Sequence, residues 1–130
     1  MIYYRDIENG RRFLVDDLGF EQHAVRTDRA GAVESIEVTH NFHRITISQT
    51  SAADRTFHKE PGPAREKHSV GGWGGVGALL DRAITASIPV TNVIEGDEED
   101  GDEFTGVWEF TAEDPEGNLW TFGSMVALTG

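Results

Sequence analysis

No cysteine occurs among the 130 residues. That absence excludes disulfides, thiolate metal sites and cysteine nucleophiles. Lysine is almost missing too, present as Lys59 and Lys67, so arginine carries most of the positive charge. No run approaches the ~18 apolar residues of a membrane span. The first residues read as a strand rather than a charged and apolar leader, which points to a soluble, cytoplasmic protein. Positive charge is outweighed overall: 23 Asp and Glu against 11 Lys and Arg leave a net charge of −12. Such a field repels nucleic acid and anionic lipid and sets both aside as partners, while it attracts cations. No nucleophile elbow, phosphate loop or dinucleotide fingerprint is present. Gly71-Gly72-Trp73-Gly74-Gly75 is glycine-rich but lacks the required spacing.

What the chain does hold is a hairpin signal near its C-terminal end, Glu113-Asp114-Pro115-Glu116-Gly117-Asn118-Leu119. Pro115 after Asp114 suits the second position of a type I turn, and Gly117 sits where φ must be positive. A three-residue loop, Pro115-Glu116-Gly117, makes a type I turn with a glycine bulge. That register puts Trp108, Phe110, Ala112, Trp120 and Phe122 on one face. Glu109, Thr111, Leu119 and Thr121 take the other. A longer loop would mix aromatic and polar side chains on both faces, at a cost.

The rest of the chain falls into two similar halves. Ile2 to Arg5 reads as a strand, and Asp6 caps a helix with Ile7, Arg11, Phe13, Leu14 and Leu18 on its inner face. Gly19 ends that helix. Strands follow at Gln22 to Thr27, Val33 to Thr39 and Arg44 to Gln49, the last alternating Ile45 and Ile47 against Arg44, Thr46 and Ser48. Residues 51–67 are polar, contain Pro61-Gly62-Pro63 and read as a linker. A fifth strand is expected over His68 to Gly74. A helix follows with Val76, Leu79, Leu80, Ala83, Ile84 and Ser87 on one stripe. Val90 to Ile94 is then a strand, Glu95 to Glu103 an acidic loop, and the hairpin closes the chain. The order strand, helix, three strands occurs twice. The expected fold is one α+β domain over 1–130, built from two βαβββ modules, about 1–50 and 68–130, forming a cup-shaped mixed sheet.

Tyr4-Arg5-Asp6, Phe13 through Glu21 with its Leu18-Gly19-Phe20-Glu21 step, and Asp114 through Gly123 together resemble the vicinal oxygen chelate superfamily. That superfamily contains glyoxalase I, bleomycin resistance proteins and extradiol dioxygenases. The resemblance implies the paired-module fold, a homodimer with ligand crevices at the subunit junction, and, in metal-dependent members, a divalent metal held by one side chain from each of four strands. Carried over by position, the fifth-strand ligand matches His68 and the last-strand ligand falls on Thr121. The first-strand position falls at Ile2 or Tyr3, and the fourth-strand one among Arg44, Thr46 and Ser48. Of these, only His68 is a good ligand for a divalent metal.

Two readings follow. In the first, the protein binds a small molecule, a cation among the candidates, without metal or other cofactor, through His68, Glu109, Thr121, Arg44, Thr46 and Ser48. In the second it is a glyoxalase-like lyase, isomerase or dioxygenase with a rebuilt metal site, drawing on His68, Glu109 and a linker residue such as His58 or Glu60. His40 and His43 read as turn or surface residues. Trp73, Trp108 and Trp120 read as core, and the acidic loop as solvated or as a steering field for a cation.

Overall fold

The computed structural model describes residues 2–40, 43–50, 64–70, 73–95 and 107–123. Two four-stranded sheets share one topology. In the first, β1 (Ile2–Tyr4), β2 (Glu21–Thr27), β3 (Val33–His40) and β4 (His43–Gln49) lie in the order β1-β4-β3-β2. In the second, β5 (Arg65–Ser69), β6 (Val90–Glu95), β7 (Val107–Glu113) and β8 (Leu119–Gly123) lie in the order β5-β8-β7-β6. The first strand of each half runs parallel to the last, and the other pairs are antiparallel. The fold is α+β, with a βαβββ module repeated.

Helix α1 opens at Ile7, where the Asp6 side chain accepts from the Glu8 amide as an N-cap. After Arg11 it widens into a π-helical turn, Arg12–Asp17, in which the Leu18 amide reaches back to the Phe13 carbonyl. Gly19 ends it at φ +82°, a conformation glycine adopts without strain. The inner face is Ile7, Phe13, Leu14 and Leu18, all buried. Arg11 lies outside it, because Glu8 and Asp16 bind its guanidinium at the surface.

The second half departs from the sequence expectation at its entry. Strand β5 runs Arg65–Ser69 rather than His68 to Gly74, so it begins inside the expected linker. Its bounds come from parallel pairing with β8, Arg65 opposite Leu119 through Ser69 opposite Gly123. Helix α2 starts at Trp73 and ends at Thr85. Val76, Leu79, Leu80 and Ala83 are buried as expected, but Ile84 is 62 % exposed. It lies in the last turn, beyond the stripe that fills the core, and Ser87 is in the turn that follows.

The hairpin has the expected register: Ala112 pairs with Trp120 and Phe110 with Phe122. The Gly117 amide donates to the Asp114 carbonyl, and Gly117 has φ +84°. The bulky side chains of this face join one buried cluster with those of the first half. Phe13 meets Trp120 at 6.0 Å between ring centroids, and Phe20 meets Phe122 at 5.8 Å.

Polar ties reinforce that shared core at three points. Tyr4 donates its hydroxyl to Asp114 Oδ2. The Glu116 carboxylate accepts from the Arg5 amide (2.7 Å), the Asp6 amide (2.9 Å) and Asn9 Nδ2 (3.0 Å), at the start of α1. Arg82 of α2 donates to the Asp17 carbonyl at the end of α1 (3.1 Å), where a cation also suits the helix dipole. Helix α1 is thus held at both ends by the other module.

Candidate functional site

Alternation in the first sheet sends Ile2, Tyr4, Ile36, Val38, Ile45 and Ile47 into the core. The intervening residues face the other way. Register then brings particular side chains together: Tyr3 opposite Ser48, Ser35 opposite Ser48, Glu37 opposite Thr46. This free face forms an open groove of about 650 Å³, lined by Tyr3, Arg26, Glu37, Thr46 and Ser48 among others. Ala24 and Val25 of the edge strand β2 give it an apolar border. Arg44 sits on the same face and reaches Glu37 at 3.6 Å, and His23 approaches the other Glu37 oxygen at 3.8 Å. Of the residues singled out from sequence, Thr46 and Ser48 line the groove and Arg44 joins it through Glu37.

The remaining three are divided. Glu109 and Thr121 lie on the free face of the second sheet. There Lys67 holds Glu109 at 2.7 Å, and Thr121 shares a hydrogen bond with Thr111 at 2.8 Å. His68 does not share that face. It pairs with Phe122 across the parallel ladder and so points to the core side, with its ring stacked on Trp120 at 5.4 Å. There Nε2 meets Glu66 Oε1 at 2.9 Å and Nδ1 meets His43 Nε2 at 2.9 Å. His43 is therefore a buried-side partner rather than a turn or surface residue. Burial pushes the basicity of His43 and His68 down, and neighbouring histidines add to this for His43; Glu66 pulls His68 the other way.

The sequence reading passed over Glu37, Arg26 and Tyr3 as groove residues. The parity of β3 against β4 carried the signal for Glu37. Trp120 is core as expected, whereas the side chains of Trp73 and Trp108, together with His58, Glu60 and residues 96–103 of the acidic loop, lie outside the described residues.

No family model and no curated protein matches the chain. Solved structures do. A glyoxalase/bleomycin resistance protein from Streptomyces sp. CB03234 superposes with a TM-score of 0.65 at 16% identity, covering 95% of each chain. The antibiotic binding protein TnmS3 from the same organism gives 0.60 at 16% identity, over 95% of this chain and 89% of that one. Lactoylglutathione lyase from Agrobacterium tumefaciens gives 0.60 at 15% identity, with the same two shares. The fold is that of these glyoxalase/bleomycin resistance structures.

The divalent metal that the sequence resemblance implies can be tested against the side chains present. Its expected positions fall at Ile2 or Tyr3, among Arg44, Thr46 and Ser48, on Thr121, and on His68, which points to the face opposite that of Thr121. Glu109, the nearest substitute carboxylate, is already paired with Lys67. Among the described residues no three His, Cys, Asp or Glu side chains are grouped to hold a metal ion. These residues do not fit the metal. What they offer is a phenol, hydroxyls and an arginine–glutamate pair, that is, hydrogen-bonding groups beside one aromatic ring. Among the described residues no helix is long and apolar enough to cross a membrane.

Proposed function

We propose that the chain binds a small organic molecule without a metal, in the groove on the free face of the first sheet. The observation that carries this reading is the groove itself: 650 Å³ with Tyr3, Glu37, Thr46 and Ser48 on its walls. That is the size of a small-molecule site with a few placed polar groups. The net charge of −12 favours a cationic ligand, and the Tyr3 ring a partly aromatic one. The antibiotic-binding neighbour on the same fold supports the class. The reading includes a cytoplasmic homodimer. Edge strands β2 and β6 are exposed, with Val25, Val93 and Ile94 open to solvent.

Melting the protein against a panel of flat aromatic amines tests the reading. A ligand at a hundred times its Kd adds about 2.7 kcal/mol, a rise of roughly 8–10 °C. Ser48→Trp, which fills the groove from an outward-facing position, should abolish the rise while the free protein keeps its own melting point. Thr46→Trp is the second filler. A rise that survives both fillers would place binding elsewhere. Stoichiometric retention of nickel, zinc, manganese or iron(II) by the stripped protein would overturn the metal-free reading. Sedimentation velocity on the same sample reads the dimer, and a monomer at working concentration would remove that part.

A further inference from the structure

The two halves also meet at a pair of histidines that the groove does not use. His43 opens β4 and His68 lies in β5, and they face each other across the junction of the modules. His43 Nε2 and His68 Nδ1 are 2.9 Å apart. His68 is only 14% exposed and is stacked on Trp120. Its other nitrogen, Nε2, lies 2.9 Å from Glu66 Oε1. A carboxylate oxygen can only accept, so Nε2 of His68 carries a proton. The neutral His68 ring then has its lone pair on Nδ1, and His43 Nε2–H donates to it. The chain Glu66–His68–His43 thus has a fixed proton order that joins one sheet to the other.

We propose that the His43–His68 hydrogen bond is a proton-operated latch between the two modules. With the pair neutral, His43 donates to His68. With one added proton the bond persists, since one ring still supplies a lone pair. With two added protons both facing nitrogens carry hydrogen, no acceptor remains, and two cations repel at contact distance. The surroundings bear on that second proton from every side. Glu66 of β5 favours charge on His68. His40 of β3 lies directly opposite His43 in the ladder and opposes charge on it, as does His68. The amino-terminal charge opposes a proton on His68 more weakly. Trp120 and Phe122 present ring faces and no counter-charge beyond the ring quadrupole.

The direction of the pH effect follows. Both rings are less basic when folded than in the unfolded chain, so the unfolded chain takes up protons first as pH falls below about 6.5. The stability they contribute is whole above that pH and is lost progressively as pH falls through the lower folded values. Ordinary carboxylates titrate at about 4 and ordinary histidines at about 6.5, so a fall in stability between about pH 6.5 and 5 is read as histidine protonation.

The test is a histidine nitrogen NMR titration of the full chain, with melting curves over pH 5 to 8. The expected result is coupled, two-step protonation of His43 and His68, with His68 protonated on Nε2 at pH 8. The melting temperature should fall by about 5 °C between pH 7 and 5. His43→Phe should remove at least half of that fall. Glu66→Gln keeps an acceptor but removes the charge, and should move the first protonation step to lower pH; it serves where His43→Phe does not fold. Independent, single-step titration of the two rings near the ordinary histidine value would overturn the latch. So would a melting-temperature slope unchanged in both variants.

Discussion

Replacing Asp114 by alanine will lower the unfolding free energy by about 3–5 kcal/mol, as read from urea denaturation. Asp114 is 4 % exposed, and both of its oxygens are fully engaged. Oδ1 accepts from the Glu116 amide (2.9 Å) and the Asn118 amide (3.0 Å), which shapes the turn. Oδ2 accepts from Asn118 Nδ2 (2.9 Å), Trp120 Nε1 (3.0 Å) and the Tyr4 hydroxyl. Alanine leaves three side-chain donors facing one another in a dry space, and each unpaired donor costs on the order of 1–3 kcal/mol. Asparagine should be nearly as damaging, because either orientation of its amide points N–H groups at donors. Tyr4→Phe is the calibrating change, since it removes one bond and leaves the carboxylate with four donors; about 1 kcal/mol is expected. Burial and the Asp114 carboxylate push the Tyr4 phenol far above its ordinary pKa, so it stays a donor at any working pH. If Asp114→Ala costs no more than Tyr4→Phe, the carboxylate is not the centre of this network. A domain of this kind has only about 5–15 kcal/mol in total, so the variant should also lose much of its soluble yield.

How the hairpin ties to the rest separates what the sequence discloses from what it does not. Turn chemistry is local, so Pro115 and Gly117 announce the loop, and the aromatic alternation then allows one register. Asp6 and Gly19 mark the ends of α1 for the same reason. The bond from Tyr4 to Asp114 spans 110 positions, and no local pattern encodes it. The side of the sheet that His68 takes was hidden for a different reason. Arg65-Glu66-Lys67-His68-Ser69 contains no apolar residue, so there is no alternation to assign its faces. Only the parallel ladder to β8 decides that Lys67 goes with Thr121 and His68 with Phe122. Transferring a ligand position from family resemblance put His68 with Thr121; the ladder separates them. The groove was half legible. Thr46 and Ser48 follow from alternation in β4, but Tyr3 and Glu37 join them only once β1 and β3 flank that strand.

Two glycine-to-alanine changes, both in helices, should move stability in opposite directions. Gly77→Ala in α2 has space, with no atom of the described residues within 4 Å of the added Cβ. It should gain about 0.5–1 kcal/mol from helix propensity alone. The same propensity acts at Gly10 in α1, but there the added Cβ would lie 2.7 Å from Ile47 Cδ1 and 2.7 Å from the Tyr4 ring. Carbon atoms in contact prefer about 3.5–4.0 Å, so the helix or the ring must move. The ring cannot yield easily, because its hydroxyl is tied to Asp114 and its edge is packed in the core. The helix cannot lift freely, because Glu116 holds its start and Arg82 its end. Overpacking of this kind costs about 1–3 kcal/mol, and a net loss of about 2 kcal/mol is expected in urea denaturation. Combining Gly10→Ala with Tyr4→Phe sharpens the argument. Without its hydroxyl anchor the ring can shift, and the double variant should be more stable than the two single losses added together, by at least about 0.5 kcal/mol. Strict additivity would mean that the clash is absorbed at Ile47 and that the Tyr4–Asp114 bond does not fix how closely α1 approaches the sheet.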